Sequence, residues 1–180
     1  VPYGETTAKG GKWIKGPDMA FVNALKTQLP EVKFIAEDLG TLTQEVLDLR
    51  DASGYPGMKI LEFAFDSREP SEYLPHTYPQ NSVCYTGTHD NETISGWFLG
   101  MSKADRDFVR DYMGDHDTAN KWMYKQLVAA AMRSTAKMCV IPVQDWLGLD
   151  NSARMNLPGS TGGNWAWRMK PGAACEKLAA

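Results

Sequence analysis

The chain has 180 residues, a formal net charge of -3 at pH 7, 43% hydrophobic residues and 23% charged ones. That length fits one ordinary domain with a real core, and the weak charge, free of like-charge blocks, argues against a nucleic-acid or anionic-membrane surface. No apolar run approaches the ~20 residues of a membrane span and no apolar signal core opens the sequence, so the expected compartment is the cytoplasm. Cys84, Cys139 and Cys175 are odd in number and far apart, without CxxC or zinc-like spacing; Cys84 and Cys139 read as reduced, strand-borne core residues.

In chain order, the sequence opens on a long glycine- and lysine-containing loop, "VPYGETTAKGGKWIKGP". A domain rarely begins with such an irregular stretch, so further chain is expected before it. Met19, Phe21, Val22, Leu25 and Leu29 recur at helical spacing behind Pro17, predicting a helix over 18–29. Val32 to Ala36 reads as a buried strand, and Thr41 with Gln44 as a capping box for a helix through Leu49, closed by Gly54. "MKILEFAF", 58–65, is a second strand, followed by a polar, proline-bearing connection over 66–81; residues 82–86 form a third strand. Helices are expected over 103–113, with Ser102 and Asp105 as a capping box, and over 118–135; "KMCVIPVQDW", 137–146, is the fourth strand. The end, "GAACEKLAA", departs from this pattern, and "KLAA" looks like a cloning scar. The domain is therefore expected to span 1–170, with 171–180 a tail.

Apolar strands largely alternating with helices predict a parallel α/β sheet. The polar residues gather just past the strand ends: Glu37, Asp38, Asp66, His89, Asp90, Gln144 and Asp145. An open doubly wound sheet and part of a (β/α)8 barrel both fit, and both put their sites at the carboxyl ends of the strands. The absence of GxGxxG after the first strand and of GxxxxGK[ST] anywhere removes the usual support for a nucleotide cofactor. The barrel is the favoured reading, and four strands would be half of one. No cofactor or metal is expected.

Glu37 and Asp90 each end an expected strand, and in a barrel such positions converge on one pocket. Paired carboxylates cleave glycosides, one protonating the leaving oxygen while another opposes an oxocarbenium-like centre. From spacing alone, solvated strand ends or helix caps explain the pair equally well. Asp115-His116-Asp117 superficially matches a metal-binding DxD but reads better as a solvated turn, with Asp117 or Thr118 capping the next helix. Trp13, Trp165 and Trp167 could stack on sugars; sealing the core is the commoner use of such tryptophans.

The segments "GKWIKGP", "IAEDLG", "GYPGMKILEFAFD", "YLPHTYP", "YTGTHDNET" and "NLPGSTGGNWAWR" together resemble the 4-α-glucanotransferases of the amylomaltase, or disproportionating enzyme, family, up to Arg168. The resemblance implies a (β/α)8 barrel, of which this chain would supply about strands five to eight, and retaining transfer of α-1,4-glucan segments to an acceptor sugar. It implies that Glu37 is the general acid/base, Asp90 the transition-state stabiliser and His89 a sugar-binding residue. Asn91, beside them in "THDN", Asp66 after "LEFAF" and Asn156 in "NLPG" are candidate glucan contacts; for Asp66 and Asn156 a structural turn role is equally open. The family's third carboxylate, an aspartate nucleophile in R-x-D-H, has no match here, so it is expected upstream and the isolated chain is expected to be inactive. An α-amylase-type hydrolase, and a non-catalytic half-barrel or glucan-binding module, are the alternatives. Unpaired edges of a half barrel also predict self-association, or pairing with an amino-terminal half.

Overall fold

The computed structural model describes residues 1–174. A small parallel sheet organises it, in the order β1-β2-β3, from β1 (Gly57–Ile60), β2 (Ser82–Tyr85) and β3 (Met138–Val140). The register pairs Met58 with Val83 and Cys84 with Cys139, so the two thiols are neighbours on adjacent strands, and both are free. Central β2 is apolar and buried, as expected of a parallel strand covered on its faces. Cys175 and the rest of the expected tail from there on lie outside the described residues.

Six helices surround or follow the sheet among the described residues: α1 (Met19–Gln28), α2 (Gln44–Ser53), α3 (Ile94–Gly100), α4 (Lys103–Met113), α5 (Met123–Met132) and α6 (Val143–Trp146). Ser102 caps α4 by accepting from the Asp105 N–H at 3.2 Å while its hydroxyl donates to Asp105 Oδ2 at 2.7 Å, so the expected pair meets. Gly54 ends α2 at φ 69°, a left-handed conformation that suits glycine. The core joins Leu61, Phe65 and Cys84 to Ile94, Phe98, Val109, Met123 and Leu127. Phe65 is its aromatic hub, with Trp97, Phe108 and Tyr112 centroids at 6.2, 5.7 and 5.3 Å.

Several expected elements differ. Residues 32–36 do not form a strand. Their one backbone bond to the sheet side runs from the Ala36 N–H to the Pro56 carbonyl at 2.9 Å, and Pro56 has no N–H to return. Two residues on, the Asp38 carboxylate takes the Met58 N–H that a strand carbonyl would have taken. The second strand ends at Ile60 because Leu61, Ala64 and Phe65 turn onto the core at helical spacing through a 3₁₀ turn at Leu61–Phe63. The fourth stops at Val140: Pro142 cannot donate to a ladder, and α6 begins behind it.

The last expected helix splits into a 3₁₀ turn at Asn120–Trp122 followed by α5. The cap of α2 is Thr43, without a side-chain cap bond, rather than Thr41, and Pro17 lies just outside α1. Asp115, not Asp117 or Thr118, fixes the following turn, accepting from the Thr118 N–H and hydroxyl at 2.9 and 2.7 Å. Helix α3 has its signal in Thr93 followed by Ile94, Trp97 and Phe98, masked by the polar run before it.

Candidate active site at the carboxyl rim of the sheet

Beyond the carboxyl ends of the strands lies an open cavity of about 890 Å³, lined among others by Glu37, Tyr85, His89, Asp90, Asn91 and Phe63. Four of the six expected site residues therefore meet. The segment over 35–40 brings Glu37 to one wall, and the loop after β2 brings His89, Asp90 and Asn91 to the other. Burial and, secondarily, the Glu37 charge push the Tyr85 hydroxyl above its ordinary pKa, so Tyr85 stays a neutral phenol facing the acid.

The sequence achieves this by alternation at the end of "AEDLG". Glu37 is exposed to the cavity, whereas Asp38 turns inward, its Oδ1 accepting from the Met58 N–H at 2.6 Å and its Oδ2 from Arg50 Nη1 at 2.7 Å. The Asp38 carboxylate in turn raises the Arg50 pKa, chiefly through that hydrogen bond. Gly57 has to be glycine here, because a Cβ would run into the Asp38 carboxylate.

The other wall is pinned from below and from the side. Thr88 donates its N–H and hydroxyl to Asn91 Oδ1 at 2.9 and 2.8 Å, closing the turn. Arg154 Nη2 donates to the Asp90 carbonyl at 2.6 Å, and the Asn156 N–H donates to the His89 carbonyl at 3.1 Å. Asn156 Nδ2 also donates to Asp90 Oδ1 at 2.6 Å, orienting the carboxylate itself. The His89 and Asp90 side chains, 3.4 Å apart, remain about half exposed, at 54% and 50%. Trp165 lies against the His89 ring with centroids 5.0 Å apart and is itself 52% exposed, so it does not seal the core.

Beneath this loop is a buried polar layer. Asp145 is 1% exposed, and it accepts from the Thr86 hydroxyl at 2.5 Å and from the Ile94 N–H at 2.8 Å, tying β2, α3 and α6 together. Burial pushes its pKa up, and those two bonds pull it back. Asn151 accepts from the Thr93 N–H at 3.1 Å and donates to Glu92 Oε1 at 2.6 Å. Glu62, for which the sequence predicts no role, reaches into the same layer; its one sequence signal is a lone acid inside the apolar run "KILEFAF".

Asp66 is not brought to the cavity wall. It forms a bidentate pair with Arg68, at 2.8 and 2.5 Å, and the guanidinium holds its carboxyl down at about 2. Asn156 touches the site through Asp90 rather than by lining the cavity. Among the described residues, no group of three or more His, Cys, Asp or Glu is arranged to hold a metal ion, and no helix is long and apolar enough to cross a membrane.

A family model described as 4-alpha-glucanotransferase matches residues 1–174. The chain belongs to the 4-alpha-glucanotransferase family. Within it, the chain is 46% identical over 173 residues to a 4-alpha-glucanotransferase of Streptococcus pneumoniae serotype 4, covering 94% of this chain and 33% of that one. It is 41% identical over 181 residues to that of Clostridium butyricum, covering 99% and 37%. The solved amylomaltase from Streptococcus agalactiae in complex with acarbose superposes with a TM-score of 0.87 at 32% identity, over 97% of this chain and 35% of that one. The chain thus spans about a third of the length of the relatives it matches.

Proposed function

We propose that this chain carries the acid/base and stabilising carboxylates of a retaining 4-α-glucanotransferase acting on α-1,4-glucans. The observation that carries the reading is one cavity lined by Glu37, His89, Asp90 and Asn91 in a member of this family. Glu37 gives its proton to the departing glycosidic oxygen as that bond breaks, while ionised Asp90 opposes the positive charge growing at the anomeric carbon. An aspartate from outside these residues bonds to that carbon. Glu37, now a carboxylate, then takes the proton of an acceptor sugar hydroxyl, which displaces the aspartate and restores the configuration. Without that nucleophile the 180 residues bind glucan but do not turn it over.

His89 and Asn91 are read as partners of sugar hydroxyls, with Trp165 backing the imidazole. Asn156 serves the sugar indirectly by aiming Asp90, and Asp66 is an outlying contact that must exchange Arg68 for a hydroxyl. The same reading takes residues 1–170 as strands five to eight of a (β/α)8 domain, with 171–180 a separate tail. The parallel order and the likeness to an amylomaltase support it, although the segment expected as the first of these strands is irregular. Among the described residues the outer edges of β1 and β3 bond no further strand, and Met138 and Val140 are exposed. In this reading the β1 edge belongs to the segment over 32–36, whose Ala36 N–H already bonds the Pro56 carbonyl, and the free side of that segment and the β3 edge are where an amino-terminal half, or a second copy, pairs. A clean monomer in light scattering would remove the second copy.

The test is a chimera in which this chain replaces the corresponding third of the Streptococcus pneumoniae relative. Maltotriose should give glucose and longer maltooligosaccharides, with Glu37→Gln and Asp90→Asn each lowering the rate by about 10³-fold. Release of shorter sugars alone would favour the hydrolase, and glucan binding without turnover the binding module.

A further inference from the structure

Glu62 is an acid that the mechanism does not use, and it lies directly beneath the loop that carries His89 and Asp90. Its N–H donates to the Thr86 carbonyl at 3.2 Å, so its backbone is tied to the residue where that loop begins. Its side chain lies against Gly87: a Cβ at that position would come 2.8 Å from Glu62 Oε1 and 3.0 Å from the Asn91 Cβ. Glycine at 87 is therefore what lets the loop close down over the Glu62 carboxyl. Among the described residues Oε1 is buried there and has no hydrogen-bond partner.

The charges around it are mostly of its own sign. Asp145 approaches from α6 and Glu92 from the segment before α3, with Arg154 the opposing cation, and the Asn91 side chain interacts with the carboxyl. An ionised carboxylate with one oxygen buried and unpaired, between two other acids, is strongly disfavoured; a neutral carboxylic acid of the same shape is not.

We infer that Glu62 is a positioning residue for His89 and Asp90: as a neutral acid it fills the space under Gly87 to Asn91 and holds that loop in the geometry seen here. Its link to catalysis rests on the reading of His89 and Asp90 as sugar-facing groups. Its action on the loop does not. Burial first, then Asp145 and Glu92, push its pKa up to about 9. For an acid raised on folding, the native state holds the proton longer than the unfolded chain. The contribution to stability is whole below the ordinary glutamate range and is lost progressively as pH rises to about 9. Ionisation places a third negative charge beside Asp145 and Glu92, directly under the loop that Gly87 closes over it.

The test is NMR on the 180-residue chain without sugar, following the Glu62 side-chain carboxyl and the amides of Gly87 to Asn91 from about pH 6 to about pH 10. The carboxyl should titrate with a midpoint near 9, and the loop amides should shift with the same midpoint. Glu62→Gln, neutral and nearly isosteric, should keep the neutral-pH loop spectrum and abolish the alkaline shift. Glu62→Ala should disturb the loop amides at every pH. A carboxyl titrating in the ordinary glutamate range, or an alkaline loop shift that survives in Glu62→Gln, would overturn the inference even if Glu62→Ala fails to fold. Since no sugar is present, such a failure is distinguishable from failure of the glucanotransferase reading.

Discussion

The carboxylates of the rim lie in two layers. Glu37 and Asp90 face the cavity and are exposed, whereas Asp38 and Asp145 beneath them are 8% and 1% exposed, with both oxygens of each accepting hydrogen bonds. The upper pair opens onto the cavity. The lower pair is saturated by Arg50, Thr86 and the N–H groups of Met58 and Ile94, and so fixes where the upper pair stands. Sequence neighbours fall on opposite sides of this division: Glu37 and Asp38 differ by one residue and by their whole environment.

Stability measurements can break this comparison, beginning with the deepest group. Asp145→Ala would strand the Thr86 hydroxyl and the Ile94 N–H in the interior, and should cost ~4 kcal/mol in urea unfolding. Asp38→Ala leaves the half-buried Arg50 guanidinium and the Met58 N–H without their partner, for ~3 kcal/mol. Asn156→Ala removes the bond that aims Asp90 and should cost ~1 kcal/mol. Glu37→Gln, at the surface of the cavity, should move stability by less than ~0.5 kcal/mol. A Glu37→Gln variant as unstable as Asp38→Ala would erase the distinction between the layers.

What the sequence made legible follows the same division. Local chemistry was readable: the Ser102 and Asp105 cap and the Gly54 stop appear, and the strand expected over 82–86 forms as Ser82–Tyr85, one residue shorter, because neighbouring residues decide them. Strand lengths were not. Residues such as Leu61, Ala64 and Phe65 satisfy an apolar strand and a turn onto the core equally well, and a side chain 20 residues away, Asp38, occupies the Met58 N–H that would have extended the sheet. At the site, "THDN" and "AEDLG" pointed to the cavity wall. Asp66 was drawn away by Arg68, two residues on. Glu62 was passed over because a lone acid within an apolar run reveals its neighbours only when the loop over Gly87 is folded above it.

The upper layer is tested most directly by the product pattern of the pneumococcal chimera carrying this chain, given maltotriose alone. The expected result is glucose together with longer maltooligosaccharides, and loss of both on Glu37→Gln with the fold intact. Transfer that persists undiminished in Glu37→Gln would contradict it.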